Sequence, residues 1–319
     1  MITNPHLRYT FTIVRRTLFL FVLFFSASTL LFADKKVKER TDPHTFTVQG
    51  AGKLILKSNI GDVQLVAGKE NTVEVEVKIK GTEKQVDRFK TNFKQDGNTV
   101  TVEGDYKRGI GEKMRFGLFR SSALDVKFIV TLPEQFISKI STAGGNITIK
   151  GLKNKQEGET SGGDVTVEDC SGELWLSTSG GDMEVRNCNG KTNLRTSGGD
   201  ITIKTLNGDI EVVTSGGDVV LDEVDGKLIA ETSGGKINVR AKENKGMNLK
   251  TSGGDIIIKL PSTAKGVLDA STFGGEVTCE LPIETEGKIK KTKMKGNING
   301  GGQLMLLKTS GGEIKVESY

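Results

Sequence analysis

Apolar and polar residues alternate along most of this chain, in short runs that recur. After Thr196, Ile201 and Ile203 alternate with polar neighbours, Leu206 follows, and Ile210 and Val212 alternate again. Period-two runs predict strands with one buried face. They are separated by Leu-Asn-Gly on one side and Thr-Ser-Gly-Gly on the other, and glycine at such corners predicts a turn taken at positive φ. The unit thus reads as two short strands and two turns. It is eighteen residues long: Thr-Ser-Gly-Gly begins at Thr160, Thr178, Thr196, Thr214 and Thr232, with degenerate copies at Thr142, Thr251, Thr272 and Thr309. The long gap before Thr309 reads as two periods with the middle copy eroded.

A unit this short cannot bury a hydrophobic face alone, so it must stack on its neighbours. Strands that recur once per coil in one direction pair in parallel, about 4.8 Å apart. The expected fold is all-β: a parallel β-solenoid, right-handed by the usual preference of parallel crossovers, with 18-residue coils over residues 141–319. Stepping by six from Ile203 reaches Asp209 and Ser215, which excludes a left-handed hexapeptide helix. Gly-Gly followed directly by Asp, as in Gly163-Asp164, departs from the Gly-Gly-x-Gly-x-Asp that calcium-binding rolls require.

Residues 45–140 read as an irregular β-rich portion that caps the solenoid. Val86, Phe89 and Phe93 at helical spacing mark one short helix on it, and Phe116, Phe119, Phe128 and Phe136 supply a larger core. Residues 34–44 read as a linker. Residues 1–33 are different material: Arg8, Arg15 and Arg16 precede an apolar run ending at Ala33, the pattern of a signal peptide cleaved near Ala33, with an uncleaved anchor as its rival. The expected location is exported: periplasmic, cell-surface or secreted.

Removing that segment takes away three arginines and no acid, so the formal charge falls from +5 to +2. A nearly neutral chain with interspersed charge gives no reason to expect nucleic acid as a partner. The exception is Lys288, Lys290, Lys291, Lys293 and Lys295, whose alternation suits a guarded strand edge.

Stacking turns each repeat position into a column. Asp164, Asp182, Asp200 and Asp218 form a file of carboxylates beside Gly163, Gly181, Gly199 and Gly217, each expected to accept hydrogen bonds from its own Thr-Ser-Gly-Gly turn; a row of weak cation sites is the alternative, broken by Lys236. Cys170 and Cys188 lie one period apart in a slot that other copies fill with Leu152, Leu206 and Val224, so they are stacked core thiols within reach of a disulfide. Cys279 takes the slot of Val167. Trp175, between inward Leu174 and Leu176, faces outward beside Asn193 and is the candidate contact for a carbohydrate or protein partner. No catalytic, cofactor or metal residues are assigned. His44 lies in the linker, the regular coils carry no long inserted loop to wall a cleft, and a polysaccharide-active β-helix enzyme is the weakest of the three readings.

The copies Thr160 to Asp164, Thr178 to Asp182, Thr196 to Asp200 and Thr214 to Asp218, together with the ending from Gly296 through Thr309-Ser310-Gly311-Gly312, resemble the exported bacterial β-strand-repeat family of candidate adhesins, a domain of unknown function. The resemblance spans about residues 46–319 and implies a β-solenoid at the cell envelope with an unknown surface ligand, glycan or protein. It supplies no catalytic residue. A self-assembling envelope scaffold is the second expectation, because the strand ending at Tyr319 has no evident cap and invites end-to-end self-association.

Overall fold

The computed structural model describes residues 37–107, 124–286 and 290–319. The expectations for residues 1–33, Phe116, Phe119 and Lys288 fall outside the described residues. From Lys38 onward the chain forms one compact unit, a parallel β-solenoid whose coils contribute one strand each to two facing sheets of thirteen and fourteen strands.

The period-two pattern explains the core. In the first sheet Ile147, Val165, Met183, Ile201, Val219, Ile237 and Ile256 stack in register, and Ile149, Val167, Val185, Ile203, Leu221, Val239 and Ile258 form the next file. All are buried. In the second sheet Leu176, Leu194, Val212, Ala230 and Leu249 do the same. Its neighbouring file admits polar residues where they can be paired: Ser138 donates to Gln156 Oε1 at 2.5 Å, and Gln156 Nε2 donates to the Phe136 carbonyl at 3.0 Å. Satisfied in this way, a buried amide is tolerated in an apolar stack.

Outward positions pair along the same files. Lys150 and Arg186 flank Glu168 at 3.2 and 3.4 Å, and Arg240 meets Asp222 at 2.6 Å.

From Val37 on, the segment read as a linker is a strand. β1 (Val37–Thr47) is the edge of the first sheet and lies beside β4 (Thr72–Thr82); its Pro43 and its charged residues are what an edge strand tolerates. The solenoid also begins earlier than residue 141. β2 (Lys53–Ser58) and β3 (Asp62–Gly68) form a coil directly under β8 (Ile137–Thr142) and β9 (Ile147–Lys150). β6 (Thr99–Tyr106) and β7 (Asp125–Pro133) form the coil beyond it, covered by antiparallel β4 and β5 (Phe89–Asp96). The helix is one short turn, α1 (Glu83–Arg88), and Phe89 and Phe93 lie on β5 instead. A separation of four residues returns to the same face of a strand as well as of a helix, so that spacing could not choose between them.

The other end is also built out of sequence order. β20 (Met247–Lys250) and β21 (Ile256–Leu260) are followed in space by β26 (Leu304–Lys308) and β27 (Ile314–Ser318), and only then by β22 (Gly266–Ser271) and β23 (Val277–Cys279). Antiparallel β25 (Lys293–Ile298) pairs with β22, and β24 (Ile283–Thr285) with β25. The gap before Thr309 is therefore an outer coil and its antiparallel cover, with no eroded copy. The strand leading to Tyr319 is interior, and Tyr319 is tied back through its hydroxyl to the Ala241 carbonyl at 3.1 Å. The premise of an uncapped final strand does not hold.

Candidate functional site

The Thr-Ser-Gly-Gly corner is the most regular feature of the surface, and each of its residues has a distinct task. The threonine side chain is buried and bridges coils: Thr160, Thr178, Thr196, Thr214 and Thr232 donate to the carbonyls of Gly145, Gly163, Gly181, Gly199 and Gly217 at 2.8–3.0 Å. Each hydroxyl also accepts the amide of the second glycine of its own turn, at 3.3–3.4 Å. Replacing Thr196 by Val keeps the shape and leaves the Gly181 carbonyl and the Gly199 amide without that partner, so a loss of about 1–3 kcal/mol is expected. Urea unfolding of Thr196→Val beside Thr196→Ser tests this; equal midpoints for Val and wild type would refute the bridging role.

The glycines at this corner do not take positive φ. The second of each pair is required by contact: a Cβ on Gly163, Gly181, Gly199 or Gly217 would lie 2.0–2.1 Å from a glycine carbonyl oxygen of the coil before. Positive φ occurs at the opposite corner, at Gly172, Gly190 and Gly208.

The aspartates hold the next coil. Asp164, Asp182 and Asp200 each accept, through Oδ1, the amide of the following aspartate in the file at 2.7–2.9 Å, and Asp218 accepts the Lys236 amide at 2.7 Å. The partner is thus the coil above and not the residue's own turn, which engages one oxygen of every carboxylate. At the next rung the Glu313 amide and the Lys236 ammonium hold the Asp255 carboxyl below its usual range. Among the described residues no group of three His, Cys, Asp or Glu is placed to hold a metal ion.

Cys170 and Cys188 stack in the file of Leu206 and Val224, as two free buried thiols rather than a disulfide. Each sulfur is turned onto a carbonyl two residues back, Glu168 O and Arg186 O, both at 3.2 Å, and in-register parallel Cβ atoms point side by side instead of at each other. The Cys188 thiol, hydrogen-bonded to the Cys170 sulfur and desolvated, is pushed well above the usual thiol range. Cys279 stacks on Val316 in the file of Val167.

Trp175 faces outward as expected and is 38% exposed. Its indole N–H donates to Glu173 at 3.2 Å, and the ammoniums of Lys155 and Lys191 lie over the ring, 5.8 and 5.4 Å from its centre. These lysines occupy the surface on which a ligand would stack. His44 stacks on Phe93 with ring centres 5.0 Å apart.

Among the described residues the most exposed aromatic is Phe273, at 89%. It replaces serine in Thr272-Phe273-Gly274-Gly275, and that substitution is the sequence signal that attention to Trp175 missed. Its location depends on the reordered coils. Thr309 donates to the Gly254 carbonyl and Thr272 to the Gly312 carbonyl, at 2.9 and 2.8 Å, so the corner file runs Ser215, Ser233, Ser252, Ser310, Phe273. A groove of about 480 Å³ follows this file on the second sheet, with Glu231, Lys250, Lys308 and Ser271 along its other side.

These stacked corners define the chain as a parallel β-solenoid built on a Thr-Ser-Gly-Gly repeat. The chain belongs to the Toastrack DUF4097 family, whose model matches residues 52–317. Among solved structures, a candidate adhesin from Parabacteroides distasonis is similar at 14% identity over 90% of this chain and 98% of its own, with a TM-score of 0.44. A candidate lipid binding protein from the same organism is similar at 14% identity over 88% and 96%, TM-score 0.44. A candidate cell adhesion protein from Clostridium sporogenes is similar at 14% identity over 89% and 100%, TM-score 0.23. No curated protein matches the chain.

Proposed function

We propose that this protein is an exported, non-enzymatic β-solenoid that adheres to a surface ligand at the cell envelope, and that the groove ending at Phe273 is where it does so. The exposure of Phe273 carries the reading. A large apolar ring set in a file of serines contributes nothing to the core and sits in water at a free-energy cost, whereas a ring that is covered on binding contributes as a contact anchor. The coil architecture suits such a role: threonine, glycine and aspartate are consumed in holding one coil to the next, which leaves a rigid surface on which the serine position, the second of the corner, varies without disturbing the fold. Export follows from the signal-like pattern of residues 1–33.

The test is a glycan and matrix-protein array probed with the secreted chain and with Phe273→Ser, which restores the repeat. Selective binding by the first, weakened at least tenfold in the second at an unchanged melting temperature, is the expected result. Equal binding by both removes the groove from the account, and a blank array for the wild type removes adhesion.

A further inference from the structure

We propose that the ligand of this groove is an acidic polysaccharide, bound along the coil stack with its carboxylate or sulfate groups on Lys308 and Lys293 and a pyranose face on Phe273. The proposal rests on the adhesion reading above and narrows it to a chemical class.

The argument starts from an imbalance of charge. In register across the strands the outward file on the groove's far side runs Glu231, Lys250, Lys308, Ser271 and continues past the groove's end to Lys293. Lys250 is paired with Glu231 at 3.0 Å. Lys308 has Lys250 on one side and Ser271 on the other, and Lys293 has Ser271; neither has an ion-pair partner among the described residues, and both are exposed. The corresponding charged file of the first sheet behaves differently. Running Lys150, Glu168, Arg186, Lys204, Asp222, Arg240, Lys259, Glu317, it places an acid beside every base. Like charges directly opposite on neighbouring strands destabilise a sheet, and where Arg186 stands opposite Lys204 and Arg240 opposite Lys259 in the first sheet, each of the four has an acid on its other side. Lys308 and Lys293 have no such acid in their file, which marks a site of use rather than of folding.

The sequence does not reveal this cluster, because residues 250, 308 and 293 become neighbours only through the reordered coils. The same reordering brings Phe273 to the end of the serine file, and the Thr272 amide donates to the Thr292 carbonyl at 2.9 Å, which fixes the aromatic corner against the strand that carries Lys293. The groove thus offers the unneutralised ammonium of Lys308 on one side, with that of Lys293 one strand beyond its end, exposed serine hydroxyls on the other side and an apolar ring at the end. A polymer that presents anions, hydroxyls and flat C–H faces in sequence matches all three. A neutral glycan leaves the lysines unanswered, and a bilayer meets a groove several coils long with only one apolar ring to insert.

The test uses the secreted chain and oligogalacturonate, with its methyl ester as neutral control and anionic phosphatidylglycerol vesicles as a third probe. Oligogalacturonate is expected to bind with an affinity that falls as salt rises. The ester is expected to bind at least tenfold more weakly. Lys308→Gln combined with Lys293→Gln should weaken binding tenfold or more and flatten the salt dependence, while Phe273→Ser should weaken it and leave the salt dependence in place. Both changes lie on the surface, so melting temperatures should hold. Equal affinity for acid and ester, or binding to vesicles alone, overturns the acidic-glycan assignment. If Phe273-dependent binding to the ester persists, adhesion through the groove stands without the charge; if no probe or array ligand binds, both readings fall.

Discussion

Deleting residues 303–319 is expected to dismantle the far end of the solenoid rather than shorten it by one coil. The segment supplies β26 and β27, which lie between β20–β21 on one side and β22–β23 on the other. Its four inward side chains, Met305, Leu307, Ile314 and Val316, are fully buried, and at about 1.5–3 kcal/mol each their removal withdraws about 6–12 kcal/mol of burial. Thr309 also links the coils on either side, donating to Gly254 while its own turn supplies the Gly312 carbonyl that Thr272 uses. Without it β20 and β21 become open edges with unpaired amides and carbonyls, a template for pairing with another chain. Hydrogen exchange should show rapid loss of protection in β22–β25 with β9 to β17 (Val219–Asp225) unchanged, and sedimentation should show concentration-dependent association. Retained protection in β22–β25 would mean that the outer coil docks directly on β20–β21, and that the interior coil is dispensable.

The second large effect is a contrast between adjacent glycines. Gly181→Ala places a methyl group 2.1 Å from the Gly163 carbonyl oxygen, with the backbone of Asp164 also inside contact distance. Those are backbone atoms held on both sides by ladder bonds, so the coils must separate locally, and a destabilisation of about 3 kcal/mol or more is expected. Gly180→Ala meets nothing within 4 Å and needs no positive φ. Alanine there restricts the unfolded chain and should be neutral or stabilising by about 0.4–1 kcal/mol. Thermal melts of the two variants decide the matter: similar losses at both positions would falsify the contact explanation and return the turn to a purely conformational one.

How far the sequence revealed this molecule follows from what repetition can and cannot express. Ile201, Ile203, Ile210 and Val212 read correctly as inward because their alternation is repeated coil after coil. The equivalence of Cys188 with Leu206 and Val224 followed from the same arithmetic. What failed was order. The copies at Thr251, Thr272 and Thr309 present nearly the same faces, so any of them could stack on the next, and only the lengths and covers between them select the arrangement found. Since Phe273, Lys308 and Lys293 meet through that arrangement, the candidate site was illegible even though each residue was in plain view. Trp175 was read correctly as outward, but the lysines that occupy its ring come from strand-flanking positions that the alternation does not specify. At Gly181 the residue type was understood and the reason was not: a column of carbonyls, and not a dihedral angle, excludes the side chain.

Every regular coil offers the same hydroxyl to the coil before it and the same carbonyl to the coil after. A duplicated or deleted block of eighteen codons would therefore insert or remove a rung without altering the joints on either side, and both closures would be carried along intact. Such a change among the coils before Thr214 would lengthen or shorten the shaft and leave the groove, which the last regular coils share with the reordered end, as it is.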